Sequence, residues 1–127
     1  MKTSILIVDD DENFRTLLRG YLESLGHQIL EAEDGAQAFM LAVQQKPGLI
    51  VMDLVMPGVY GTTAIKLLAD YRKSTNTPIL IVSGATDKSL VEQAMALPNI
   101  RFLRKPFPMP ELGKIITEML PASGAPA

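Results

Sequence analysis

Four short apolar runs in this chain end in polar residues with chemistry to offer. Ser4–Val8 runs into Asp9, Asp10, Asp11 and Glu12, and Leu49–Met52 into Asp53; Ile79–Val82 leads to Ser83, and Ile100–Leu103 to Arg104 and Lys105 ahead of Pro106. If the first and third runs lie side by side, Asp9, Asp10 and Asp53 converge. Unpaired carboxylates about 4 Å apart repel by roughly 1 kcal/mol in water and about 4 kcal/mol at an effective dielectric near 20. Two or three such terms are a large share of the ~5–15 kcal/mol that holds a domain together. Either one acid keeps a proton or a cation sits among them. An open, all-oxygen site suits magnesium, which keeps several waters and often bridges to phosphate. Ser83 adds a hydroxyl donor and Lys105 a compact, mobile charge. Each residue is commonplace alone, as a turn residue, a helix cap or a solvated charge. Together they form an arrangement for accepting a phosphoryl group, in which a carboxylate attacks phosphorus while metal and lysine neutralise its oxygens.

The elements that must position these groups alternate along the chain. Ser4–Val8 and Leu49–Met52 are continuous apolar runs, as strands buried on both faces should be. Phe14, Leu17, Leu18, Tyr21, Leu22 and Leu25 form an apolar stripe at helical spacing, closed by Gly26. His27–Glu31 reads as a strand and Ala36–Gln45 as a helix that stops before Pro47. Leu54–Gly61 is a loop, followed by a helix over about Thr63–Arg72. Ile79–Val82 is a fourth strand; Leu90, Val91, Ala94 and Met95 stripe a fourth helix. Ile100–Leu103 is a fifth strand, whose Arg101 and Arg104 mark a protected sheet edge. Leu112, Ile115, Ile116 and Met119 stripe the last helix. Five strands alternating with five helices predict an α/β fold: one doubly wound, open parallel sheet with helices on both faces. Ligands in such sheets bind beyond the carboxyl ends of the strands, where these groups sit. Residues 1–120 read as one domain and 121–127, PASGAPA, as a flexible tail or the start of a linker.

Composition removes whole classes of function. A chain of 127 residues needs no disulfide or metal to fold, and its lack of cysteine excludes disulfides, thiolate metal sites and thiol nucleophiles. Lys+Arg 12 against Asp+Glu 14 offers no footprint for direct nucleic-acid binding. No stretch approaches the ~20 apolar residues of a membrane span, and the amino terminus lacks the pattern of a signal peptide, so the cytoplasm is the expected location. The only histidine, His27, opens the second strand, away from the acids, and provides no phosphohistidine relay.

The strings ILIVDDDE, IVMDLVMPG, PILIVSG and FLRKPF, in this order over nearly the whole chain, resemble the receiver domain of two-component response regulators, of the chemotaxis-regulator type. The resemblance implies a flavodoxin-like five-stranded sheet in the order 2-1-3-4-5, with Asp53 as the phosphoacceptor and Asp9 and Asp10 as the acidic pair. On the same resemblance Asp10 and Asp53 would bind Mg2+ directly and Asp9 would help through water, with the Val55 carbonyl as the third protein ligand. It implies that Ser83 bonds the phosphoryl group, that Lys105 pairs with one of its oxygens, and that Phe102 is the switch aromatic. It also implies a cis Lys105–Pro106 bond, found in only about 5–6% of X-Pro bonds. The expected function is a phosphorylation switch, not an enzyme. A sensor histidine kinase or a phosphotransfer protein donates to Asp53, and the face built by the fourth helix, fifth strand and fifth helix changes. That face would serve a downstream protein target or an output domain outside this chain, in a monomer or a phosphorylation-dependent dimer.

Three departures from the family pattern stand out. Tyr60 replaces the usual Asp before Gly61, leaving the following helix to find another cap, such as Thr62. Leu97-Pro98-Asn99 replaces a Gly-Ala turn and must end the fourth helix early. Val55 and Ala85, two residues beyond Asp53 and Ser83, cannot orient an attacking water, so no built-in assistance to hydrolysis of the acyl phosphate is expected. Two rivals share parts of the pattern. A haloacid dehalogenase-like phosphatase would use Asp9 and Asp11, but needs Thr or Val where Asn13 stands and a late acidic pair. A flavodoxin-like FMN carrier would meet repulsion from the aspartates where its phosphate must sit.

Overall fold

In β1 (Ser4–Val8) and β3 (Leu49–Met52) nearly every side chain is buried, which is possible only for strands covered on both faces. The computed structural model describes residues 4–53, 77–84, 92 and 99–120, with Ser83 described by its backbone. The remaining elements are α1 (Glu12–Ser24), β2 (Gln28–Ala32), α2 (Gly35–Gln45), β4 (Ile79–Ser83), β5 (Ile100–Arg104) and α3 (Met109–Met119). All strand pairs are parallel, as the alternation of elements predicts, and the sheet order is β2-β1-β3-β4-β5, as the resemblance implies. The helices expected over Thr63–Arg72 and around Leu90–Met95 lie outside the described residues, as do Val55, Tyr60, Thr62, Ala85 and Pro98. The helix expected as the fifth is α3.

Alternation along each strand divides the interior into two cores. Leu6, Val8, Ile50, Met52, Ile79 and Ile81 point to the side covered by Ala38 and Ala42 of α2. Ile5, Ile7, Leu49, Val51, Leu80 and Val82 point to the other, against Leu18 and Leu22 of α1 and Leu112, Ile115 and Ile116 of α3. Helices α1 and α2 are capped by aspartates that precede them. Asp11 caps α1 by accepting from the Phe14 N–H, and Asp34 caps α2 by accepting from the Gln37 N–H. Gly26, at φ 95, lets the chain leave α1. Gly113 is where α3 comes against α1, since a Cβ there would lie 2.8 Å from the Tyr21 hydroxyl.

The apolar stripe of α1 is narrower than its sequence suggests. Leu17 and Leu25 are 57% and 48% exposed. Six positions in about three turns span a wider arc than a sheet can cover; Leu17 falls on its outer margin and Leu25 lies beyond the last helical residue. The position in phase with Leu18 and Leu22 is instead Arg15, which is buried. Strand β2 starts at Gln28, one residue later than expected, and leaves His27 in the connection. At the β5 edge, Arg101 is exposed and pairs with Glu118 of α3 at 2.8 Å.

Candidate functional site

Register brings the acids together. Val8 lies opposite both Ala32 and Met52, so β1 and β3 end at the same level. The Asp9 N–H donates to the Ala32 carbonyl and the Asp53 N–H to the Val8 carbonyl, which fixes both residues as they leave the sheet. They are only 1% and 7% exposed. Lys105, just beyond β5, reaches across the strand ends and donates to Oδ2 of Asp9 and to Oδ2 of Asp53, 3.0 Å from each. The Lys105–Pro106 peptide bond is cis, as the resemblance implies.

Other groups hold this cluster. Oδ1 of Asp9 accepts from the Asp11 N–H at 2.9 Å. The Phe14 ring lies under the Lys105 ammonium, 4.0 Å from Nζ to its centroid, where the negative face of an aromatic ring attracts a cation. Phe107 meets Phe14 edge to face, at 6.2 Å between centroids and 83° between planes. Arg15 donates from Nη1 to the Asp9 carbonyl at 2.6 Å and from Nε to Glu31 at 3.1 Å.

One ammonium is shared by two buried carboxylates, and the ionisation balance reflects it. Burial raises the Asp9 carboxyl above its ordinary value; the Asp11 N–H and Lys105 offset only part of that, and the Asp53 charge adds to it. Burial works against the charge of Lys105, but its hydrogen bonds to Asp9 and Asp53 and their charges outweigh burial and hold its pKa above the ordinary value. The site therefore carries more negative charge than its lysine compensates.

Asp9, Asp53 and Lys105 are brought into direct contact. Asp10 is exposed beside them, and among the described residues no three acidic or histidine side chains gather closely enough to hold an ion between them. Ser83 stands at the end of β4, in register with Arg104 of β5; Val55 lies outside the described residues. Phe102 is half-buried on β5 against the α2-side core. In donor chemistry the acids fit a hard divalent cation such as magnesium. They supply oxygen only, the chain has no cysteine, and its single histidine, His27, precedes β2 at the opposite end of the sheet. Asp11, the second acid of the phosphatase-like spacing, is engaged as the cap of α1.

Sequence reasoning missed three contributors. Phe14 counted only as part of an apolar stripe, Phe107 was not singled out, and Arg15 went unnoticed. Arg15 did leave a signal: a cation at the position i−3 and i−7 from two core leucines, Leu18 and Leu22.

Comparison with known proteins shows the family and the fold. The family described as response regulator receiver domain matches residues 5–117. Protein PilH of Pseudomonas aeruginosa is 42% identical over 79 residues, covering 62% of this chain and 65% of PilH. The C4-dicarboxylate transport transcriptional regulatory protein DctD of the same organism is 32% identical over 107 residues, covering 84% of this chain but only 23% of DctD. The chain thus spans less than two-thirds of either relative's length. Among solved structures, chemotaxis protein CheY4 of Vibrio cholerae superposes with a TM-score of 0.84 at 26% identity, covering 94% of this chain and 100% of that one.

Proposed function

Because the chain belongs to the response regulator receiver domain family, we propose that it is a phosphorylation switch whose acceptor is Asp53. The observation that carries this reading is the lysine shared between Asp53 and Asp9 at the carboxyl ends of β1 and β3, 3.0 Å from each acid. An Asp53 carboxylate oxygen forms the new bond to phosphorus as the bond from phosphorus to the donor nitrogen breaks. Lys105 is placed to exchange a carboxylate oxygen for a phosphoryl oxygen with little movement of its ammonium. Asp9, Asp10 and Asp53, with the Val55 carbonyl, would hold Mg2+, which when bound neutralises charge on the phosphoryl oxygens. Ser83 would donate its hydroxyl to the phosphoryl group.

The donor is a sensor histidine kinase or a phosphotransfer protein, and the reaction belongs to the cytoplasm. Phosphorylation acts by shifting a pre-existing equilibrium, to the extent that the phosphoryl group makes different contacts in the two states. Its readout is the surface around β5 and α3, with Phe102 as the reporting ring. It passes to a downstream protein or to an output domain beyond residues 1–120, in a monomer or a phosphorylation-dependent dimer.

Intact mass after incubation with a small-molecule phosphodonor and magnesium tests the reading. The parent should gain one phosphoryl group, while EDTA or Asp53→Ala abolishes the gain. No gain in the parent, or an undiminished gain in Asp53→Ala, would overturn it.

A further inference from the structure

Arg15 occupies a position where an apolar side chain would continue the Leu18–Leu22 stripe, and it is only 7% exposed. A guanidinium so placed is tolerated only with partners for its donors. Nε donates to Oε1 of Glu31 at 3.1 Å, Nη2 lies 3.9 Å from the exposed Glu33, and Nη1 donates to the backbone carbonyl of Asp9 at 2.6 Å. Glu31 is itself held from the other side by Arg19, whose Nη1 is 2.7 Å from Oε2. A planar fork is thus braced on β2 and aimed at a single main-chain oxygen.

That oxygen has leverage. The Asp9 carbonyl and the Asp10 N–H belong to one rigid peptide plane. With the Asp9 N–H already bonded to the Ala32 carbonyl, holding the oxygen fixes the plane and the direction in which both acidic side chains depart. We infer that Arg15 is a positioning residue for the acidic pair, acting through the Asp9 carbonyl to set the affinity of the site for a divalent cation. The inference rests on the reading of Asp9 and Asp10 as cation ligands.

Charge and positioning make opposite demands, which gives the test its discrimination. As a nearby cation, Arg15 disfavours a second cation, so removing it should tighten magnesium binding. As a brace, it pre-aims the ligands, and loss of such supporting partners commonly weakens metal affinity by about 10–100-fold. Calorimetric titration of Mg2+ into the full chain would be run on the parent, Arg15→Met, Arg15→Lys, Glu31→Gln and Glu33→Gln, below the unfolding transition of each. Arg15→Met is expected to bind about tenfold more weakly despite the lost positive charge. Arg15→Lys, with the charge kept and the fork gone, should fall between it and the parent. Glu31→Gln should weaken binding several-fold by loosening the brace. Glu33→Gln removes the same charge from a residue whose side chain is 73% exposed and should leave affinity unchanged. Equal or tighter binding by Arg15→Met, with magnesium bound normally by the parent, overturns the inference and leaves the phosphorylation reading standing. Should Arg15→Met not fold, parent-like affinity in both Arg15→Lys and Glu31→Gln overturns it equally. Absence of magnesium binding by the parent removes the cation site, and the inference with it.

Discussion

Replacing Lys105 with methionine keeps the length and most of the apolar stem of the side chain but withdraws the ammonium bonded to both acids. Two carboxylate oxygens that each lie 3.0 Å from one nitrogen are at most about 6 Å apart, where two unit charges repel by about 3 kcal/mol at an effective dielectric near 20. Asp9 and Asp53 are too buried for water to compensate fully, although Lys105 is itself 24% exposed and part of its lost attraction was already screened. The expected cost is about 2–3 kcal/mol at pH 7, close to 10 °C in Tm for a chain of this size. Its pH dependence identifies the cause. Without the lysine, Asp9, whose carboxyl burial already raises, ionises in the folded state at a higher pH than in the unfolded chain. The folded state then holds extra protons from roughly pH 4 upward, and stability falls as pH rises through that window. Urea unfolding of parent and variant at pH 7.5 and pH 4 should therefore show a deficit that shrinks markedly at the lower pH. A deficit equal at both pH values would refute the electrostatic account and assign the loss to packing over Phe14.

Asp9→Asn is expected to stabilise the chain by about 1 kcal/mol at pH 7 in magnesium-free buffer, because burial already holds this carboxyl above its ordinary pKa. The gain should disappear once the acid is protonated in both states, which thermal unfolding at pH 7 and pH 3.5 would reveal. His27 has its pKa lowered by burial, so the unfolded chain binds the proton more readily and stability is lost as pH falls below about 6.5. His27→Gln should flatten that part of the urea-midpoint profile between pH 7.5 and 5, and an unchanged slope would contradict the assignment. Leu80→Ala, at a fully buried position of β4, should cost about 3 kcal/mol and about 10 °C in Tm by differential scanning calorimetry.

How much of this was legible in the sequence depended on whether local information sufficed. Strands buried on both faces announce themselves as short β-branched runs, so β1 and β3 were found with their bounds, and the acids that end them followed. Alternation of strands and helices points to a parallel sheet with its site at the carboxyl ends. The order that sets Asp9 beside Asp53 with Lys105 within reach comes from the resemblance, since handed crossovers fix which face a helix covers and not which strands are neighbours. What the sequence left open was rotational phase. Leu17 and Leu18 are chemically identical, and only the seating of α1 on the sheet decides that one is exposed and the other buried. The same phase turns Phe14 toward Lys105 and Arg15 toward Glu31, contacts that join residues far apart in sequence and depend on the fold being complete. Asp10 was grouped with its neighbours by adjacency, yet successive residues leave a backbone in different directions, and its side chain faces solvent.

The first turn of α1 gathers several connections of the site into a few consecutive residues. Asp11 begins the helix and steadies Asp9, Phe14 supports the ammonium, and Arg15 grips the main chain beside the acids and ties them to β2. Helix ends are where folded proteins open most readily, at a cost well below that of global unfolding. Here a single opening of that turn would disconnect the acid, the lysine and the neighbouring strand in one event. Fraying of this helix and disassembly of the site are therefore one equilibrium. Anything that tightens the turn, whether a better cap or a ligand at the acids, shortens the fraction of time the reacting groups spend apart.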